Sequence, residues 1–98
     1  MPTNISIVIP LLNEAPSLRE LHADLLSVAE ANDYCFEIVF VDDGSSDQSW
    51  EIIEELAAQD ARVKGVQLRR NFGKAAALSA GTGVAQHAYV VTIDADLQ

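Results

Sequence analysis

Short apolar runs and longer amphipathic stretches alternate along the chain. Each apolar run is rich in β-branched residues and has few polar interruptions, which is typical of strands buried on both faces of a parallel sheet. In the stretches between these runs, apolar positions recur at helical spacing. The predicted strands cover residues 5–10, 36–41, 63–68 and a run that begins at residue 89. The pattern therefore predicts the element order β-α-β-α-β-α-β.

This order, with its short connections, predicts a three-layer α/β fold, in which a parallel sheet with right-handed crossovers carries helices on both faces. Pro10 is predicted to end the first strand because proline cannot donate to a ladder. The third helical stretch consists of small residues, which let a helix lie close to the sheet. The predicted inner face of the first helix is formed by Leu18, Leu21, Leu25 and Val28.

Polar residues follow every predicted strand. In open parallel sheets, ligands bind outside the carboxyl ends of the strands. We therefore expect one functional site at this edge of the sheet. The polar residues are Asn13 and Glu14 after the first strand, Asp42 and Asp43 after the second, residues 69–74 after the third, and residues 94–98 after the fourth.

The last residues of the chain suggest a metal site. In an extended segment alternate side chains share a face, so Asp94, Asp96 and Gln98 can converge on one point. Mg²⁺ and Mn²⁺ prefer carboxylate, carbonyl and water ligands and often retain substrate phosphates. The hypothesis is a metal site that holds a diphosphate, and the alternative is a solvated strand end without a ligand.

Three further positions have both a functional and a structural interpretation. Asp42 or Asp43 can accept hydrogen bonds from a base or a ribose, or can serve the turn and the cap of the next helix. Lys74 lies at a helix start, where the dipole disfavours cations, which indicates a phosphate or carboxylate partner, or else a solvated lysine. Glu14 either contacts a nucleoside or bonds a neighbouring loop.

Composition narrows the classes of function. The 98 residues are 49% hydrophobic and include 6 Lys and Arg against 15 Asp and Glu, which gives a formal charge of −9. This charge argues against a nucleic-acid surface.

Cys35 is the single cysteine, so no internal disulfide is expected. We predict that its side chain is buried like a small hydrophobic residue and that the protein lies in a reducing, cytoplasmic setting. The sequence predicts neither a signal peptide nor a membrane span.

With these residues in place, the chain resembles the amino-terminal part of a family 2 glycosyltransferase, whose GT-A fold has a Rossmann-like nucleotide-binding half. Residues 70–74 and 77–81 are similar to the subgroup that transfers sugars to polyprenyl phosphates, including dolichol-phosphate mannose synthases. The resemblance covers essentially all of residues 1–98 and rests on four motifs in order. The other three motifs are residues 7–14, residues 39–47, and Ile93-Asp94-Ala95-Asp96-Leu97-Gln98.

The resemblance implies a role for individual residues. Asp94 and Asp96 would be the D-x-D pair that binds Mg²⁺ or Mn²⁺ and the diphosphate, with Gln98 assisting as in the polyprenyl subgroup. Leu12 stands where the subgroup often has an aromatic residue. The nucleotide-binding residues implied in this way are Pro10, Leu12, Glu14, Asp42, Lys74 and Asp94.

For the whole protein, the resemblance implies transfer of a sugar from a UDP- or GDP-linked donor to an acceptor, with a polyprenyl phosphate at the cytoplasmic membrane face expected. Residues 1–98 would then be the donor- and metal-binding part of a domain truncated at its carboxyl-terminal end. The catalytic base and the acceptor half are expected beyond Gln98, so no catalytic residue is predicted here. The fourth strand would have an unpaired edge, which predicts a tendency to self-associate.

Two other functions fit the same polar residues. A receiver-like phosphoacceptor module also binds Mg²⁺ with paired aspartates after a strand. A nucleotide-binding segment without catalytic activity would use the same loops. Metal-dependent binding of a nucleotide sugar distinguishes the glycosyltransferase from both.

Overall fold

The computed structural model describes residues 3–32, 34–87 and 89–95. Its elements follow the predicted order of alternating strands and helices. The strands are β1 (Thr3–Leu11), β2 (Tyr34–Asp42), β3 (Val63–Gln67) and β4 (Tyr89–Thr92), and the helices are α1 (Ala15–Ala31), α2 (Ser49–Gln59) and α3 (Lys74–Val84).

The four strands form one parallel sheet in the order β3-β2-β1-β4. This is the first part of the Rossmann order, in which the chain builds outward from β1 to β3 and then returns to the other side of β1. The predicted α/β fold with a parallel, Rossmann-like sheet is thus confirmed. The direction of winding reverses between β1 and β4, and the carboxyl ends of these two strands therefore flank the crevice where such sheets bind ligands.

The core has two layers because successive side chains of a strand point to opposite faces. On the face covered by α1 and α2, Ile9, Phe40 and Ile53 are fully buried. On the other face, Val8 and Val41 pack beneath α3. None of the helices in the described parts of the chain is both long and apolar enough to cross a membrane.

Helix α3 lies close to the sheet, as its small residues predict. Gly81 is buried, and a Cβ added to it would lie 2.4 Å from Cγ1 of Val8 and 2.8 Å from Cγ2 of Val41. Gly83 is exposed, with no atom within 4 Å of an added Cβ. The close approach is therefore specific to Gly81.

Replacement of these two glycines by alanine should have opposite effects on the free energy of unfolding. Gly81→Ala overpacks the interface with Val8 and should cost about 2 kcal/mol. The Cβ added by Gly83→Ala meets no neighbouring atom. This variant should raise the free energy of unfolding by about 0.5 kcal/mol, because alanine is the better helix former. Urea denaturation of both variants measures the difference, and equal values would contradict the close packing of α3.

Three local predictions were wrong, and the first concerns Pro10. Strand β1 continues through Pro10 to Leu11. The carbonyl of Val8 accepts a hydrogen bond from the N–H of Ile93, so Val8 and Pro10 both direct their backbone polar groups toward β4. Strand β4 ends at Thr92, which pairs with Val8. Pro10 therefore needs no backbone N–H to pair with β4, because β4 has already ended at this level of the sheet.

The other two errors concern burial. Val28 is 54% exposed, whereas its neighbour Ala29 is buried. The two residues lie on either side of the inward face of α1, and only Ala29 packs against the core.

Cys35 is exposed rather than buried. On the same face of β2, Glu37 is covered by the segment after α3, since the N–H of Gln86 donates to its carboxylate at 2.7 Å. That cover does not extend to Cys35.

The end of α2 is tied to α1 by a carboxylate. Asp60 accepts hydrogen bonds from the Nε of Arg62 at 2.9 Å and from its Nη2 at 3.2 Å, and it lies 3.1 Å from Nε2 of His22. The hydrogen bonds from Arg62, outweighing the opposing effect of burial, lower the pKa of Asp60 from 3.8 to about 2. Its charged form therefore stabilises the fold.

Stability should consequently fall in acid. The pKa of Asp60 is lower in the folded chain than in the unfolded chain, so its contribution is fully present above pH 3.8 and is lost as the pH falls toward 2. The loss should reach about 2 kcal/mol. Urea denaturation at pH 5, 4, 3 and 2 measures it. Asp60→Asn should remove this part of the pH dependence, whereas Asp24→Asn, on the exposed side of α1, should leave it.

Candidate functional site

The loops after β1 and β2 are joined by Asn13. Its φ of +55° lies in the left-handed region that asparagine tolerates. This conformation lets its Oδ1 accept hydrogen bonds from the N–H groups of Ser46 at 2.8 Å and Asp47 at 3.2 Å. Its own N–H donates to Oγ of Ser45 at 2.8 Å. The side chain of Asn13 therefore fixes the two loops to each other.

The loop after β3 is held by Asp43. The Oδ1 of Asp43 accepts a hydrogen bond from the N–H of Phe72 at 2.8 Å, and its Oδ2 accepts one from the N–H of Gly73 at 3.0 Å. Gly44, with φ +86°, lets the two backbones approach, since an added Cβ would lie 2.5 Å from the backbone N of Asn71. These contacts fix the start of α3, and with it Lys74.

These loops line an open cavity of about 360 Å³ at the reversal point between β1 and β4. A neighbouring cavity of about 170 Å³ shares part of its wall and adds Glu14 and Ala95. Together they offer an apolar wall from the end of β1 and a polar wall from the other loops. The larger cavity is lined by Pro10, Leu11, Leu12, Asp43, Asn71, Gly73, Lys74 and Asp94.

Two of the lining residues of the larger cavity, Lys74 and Asp94, form an ion pair. The Nζ of Lys74 donates to Oδ1 of Asp94 at 2.9 Å. Both side chains are largely exposed, 65% for Lys74 and 69% for Asp94. The carboxylate partner predicted as one alternative for Lys74 is therefore present.

Most of the predicted nucleotide-binding residues come together. Pro10, Leu12, Lys74 and Asp94 line the larger cavity, and Glu14 lines its neighbour. Their roles stay predictions, but their convergence is what the order of the strands implied.

Asp42 is placed differently. It is fully buried and lines neither of these two cavities. Its Oδ1 accepts a hydrogen bond from the N–H of Ser45 at 2.7 Å, and within the described residues its Oδ2 has no hydrogen-bond partner. Asp42 pairs with Leu11 at the end of β1, and Asp43, which is next along the chain, lines the larger cavity. The turn interpretation thus fits Asp42, and Asp43 is on the cavity wall.

The predicted metal ligands are only partly described. Asp96 and Gln98 lie outside the described residues, so the paired geometry stays a prediction. Among the residues that are described, no three histidine, cysteine or acidic side chains cluster as a metal site. Asp94 fits a hard cation in one respect, because it presents an exposed carboxylate to an open cavity.

Sequence reasoning missed two features of the wall. Asn71 was seen only as part of a motif, although it lines the cavity and its Oδ1 accepts from the N–H of Gly73 at 3.0 Å. The role of Asp43 as an acceptor for the third loop was also missed. The signal available for both was the glycine at position 73, whose φ of +100° marks a sharp turn that needs side-chain support.

The comparisons with known proteins all identify the same protein family. The model of glycosyl transferase family 2 matches residues 6–98. An uncharacterized glycosyltransferase of Synechocystis sp. is 44% identical over 98 residues, which is all of this chain and 31% of the relative. The undecaprenyl-phosphate 4-deoxy-4-formamido-L-arabinose transferase of Shewanella sediminis is 44% identical over 95 residues, 96% of this chain and 29% of the relative. The chain thus spans about a third of the length of these relatives.

Solved structures with the same fold carry nucleotide sugars. TarS of S. aureus in complex with UDP-GlcNAc has a TM-score of 0.77 and 30% identity, covering 96% of this chain and 27% of that one. The mannosyltransferase PcManGT of Pyrobaculum calidifontis, in complex with GDP-Man and Mn²⁺, has a TM-score of 0.80 and 26% identity, covering 98% and 28%.

Proposed function

The chain belongs to glycosyl transferase family 2, and on this premise we propose that residues 1–98 are the donor-binding part of a metal-dependent glycosyltransferase. The donor would be a nucleoside diphosphate sugar, linked to UDP or GDP. The observation that carries the proposal is the position of Lys74 and Asp94 on the wall of the cavity at the reversal point of the sheet. The chain spans about a third of its relatives, so sugar transfer is proposed for the whole protein.

The cavity walls suggest how the donor lies. Pro10 and Leu12 offer an apolar surface to the nucleoside, and the carboxylate of Glu14 can accept hydrogen bonds from it. Asp43 faces the same space, whereas Asp42 is buried and supports the loop. We therefore assign Asp42 to shaping the nucleoside site from behind.

The diphosphate end lies toward Asp94. Asp94, with Asp96 and Gln98, would hold Mg²⁺ or Mn²⁺, and Lys74 would add a positive charge at the start of α3. When bound, the metal would stabilise the negative charge on the departing nucleoside diphosphate. A base that deprotonates the acceptor is expected beyond Gln98.

The acceptor is proposed to be a polyprenyl phosphate at the cytoplasmic face of the membrane. The support comes from relatives such as the undecaprenyl-phosphate 4-deoxy-4-formamido-L-arabinose transferase of Pseudomonas syringae, which is 46% identical over 95 residues. The predicted self-association also stays a proposal. Its structural basis is strand β4, where Tyr89 is 65% exposed and Val91 is 45% exposed.

The strand order argues against the receiver-like alternative. Flavodoxin-like proteins place β3 beside β1, whereas here β4 takes that position and β3 lies beyond β2. A nucleotide-binding segment without catalytic activity would use the same cavity. The titration described next distinguishes it from the glycosyltransferase.

The test is a calorimetric titration of the folded chain with UDP- and GDP-sugars, with and without Mn²⁺. We expect binding that depends on the metal, and its loss by about tenfold or more in Asp96→Asn, because the amide removes a charged ligand. Asp24→Asn makes the same chemical change on the exposed side of α1 and should leave binding unaltered. Metal-independent binding would favour the alternative without catalysis, and no binding by a folded chain would contradict the proposal.

A further inference from the structure

We infer that Lys74 is a displaceable counter-cation, which pairs with Asp94 while the site is free of metal and transfers to a phosphate when metal and nucleotide bind. The inference rests on the proposed function and adds a sequence of events to it. It assigns Lys74 two successive partners of the same charge.

The charges on the cavity wall single out this pair. Among the described residues that line the larger cavity, Lys74 is the one cation, and Asp43 and Asp94 are the two carboxylates. Both oxygens of Asp43 accept backbone N–H groups, at 2.8 Å and 3.0 Å. Asp94 is the carboxylate that Lys74 contacts, at 2.9 Å. Lys74 thus contacts the carboxylate that is proposed as a metal ligand.

Lys74 has no evident role in stabilising its own helix. It is the first residue of α3, where the helix dipole disfavours a positive charge. Its side chain is 65% exposed, so it does not contribute to the core. Its contact with Asp94 is what explains its orientation.

The pair is suited to exchange. Both side chains are more than half exposed, and an ion pair this exposed changes an affinity by about fivefold at most. A divalent ion with further ligands can therefore displace Lys74 from Asp94. The lysine has a flexible stem and three donors, so it can turn toward the phosphate oxygens that arrive with the metal.

Removal of the lysine charge should therefore have opposite effects on two affinities. Without nucleotide, Lys74 competes with the metal for Asp94, so Lys74→Met should bind Mn²⁺ more tightly than the wild-type chain, by up to about fivefold. With UDP or GDP present, Lys74 assists the phosphates, so the same variant should bind the nucleotide about tenfold more weakly. A lysine that only balanced the general acidity would change both affinities only slightly, because salt screens exposed charges that do not touch the ligand.

The experiment measures free Mn²⁺ by its EPR signal during titration of the chain, first with Mn²⁺ alone and then with UDP or GDP. Arg19→Met is the matched control, since Arg19 forms an exposed ion pair with Glu55 on the helical face. This control should leave both affinities unaltered. Circular dichroism of the variants checks that each is folded.

The outcomes separate the inference from the proposed function. If Lys74→Met binds Mn²⁺ no more tightly than wild type, while nucleotide binding still requires Mn²⁺, the inference is overturned and the proposed function stands. If the folded wild-type chain and Lys74→Met both fail to bind Mn²⁺ alone and also fail to bind it together with UDP or GDP, both are overturned. Tighter Mn²⁺ binding together with weaker nucleotide binding, absent in Arg19→Met, supports the inference.

Discussion

Gly44→Ala is expected to lower the free energy of unfolding by about 4 kcal/mol, from backbone strain and steric overlap together. Its φ of +86° disfavours any residue with a Cβ, and an added Cβ would lie 2.5 Å from the carbonyl carbon of Arg70 and from the backbone N of Asn71. Neither atom can swing aside, because both belong to the main chain. The loop after β3 would have to move away from the loop after β2.

Urea denaturation measures this effect, and Gly73→Ala is the comparison. Gly73 also has a positive φ, +100°, but no atom lies within 4 Å of its added Cβ. Its alanine variant therefore has the conformational cost alone, about 2 kcal/mol. If the two variants were equally destabilised, the close contact between Gly44 and the backbone of Asn71 would not be present in solution.

Asp43→Asn should cost about 2 to 3 kcal/mol, because hydrogen bonds to a charged acceptor are the strong ones. Both carboxylate oxygens accept backbone N–H groups, from Phe72 and Gly73, and Asp43 is only 6% exposed. An asparagine keeps one acceptor and turns an NH₂ group toward the other donor. Part of the loss at Gly73 is offset, since Asn71 also accepts from its N–H.

Two measurements check this prediction. Urea denaturation gives the change in stability, with Asp24→Asn as the control that removes an exposed carboxylate and should stay within about 0.5 kcal/mol of wild type. Amide hydrogen exchange should then show faster exchange at Phe72 and Gly73 in Asp43→Asn. Unaltered exchange at these two amides would show that the carboxylate does not hold the loop.

The two variants act on the same junction, and this junction positions the site. Asp43 and Gly44 fix the turn that leads into α3, and Lys74 is the first residue of that helix. The contact between Lys74 and Asp94 therefore depends on residues that do not themselves touch Asp94. We expect nucleotide affinity to fall in both variants even where the chain is still folded.

The sequence predicted the elements and the edge of the sheet that carries the site. Periodicity fixes these features because backbone geometry sets the direction of each side chain, so residues such as Leu18 and Ile53 had to lie inward. Pro10, Val28 and Cys35 departed from prediction for a shared reason. Each depends on how far a neighbouring element extends over it, and that length is not encoded in the local pattern.

For the candidate site, the sequence by itself determined that Leu12, Glu14, Lys74 and Asp94 follow the ends of parallel strands and so meet at one edge. The tertiary structure decided which groups face the cavity and which partners they take. It turned Asp43 rather than Asp42 to the wall. It paired Lys74 with Asp94 across 20 positions of sequence. The first choice follows from the pairing of β2 with β1, and the second from the insertion of β4 on the other side of β1. Both are long-range packing events that local propensity does not specify.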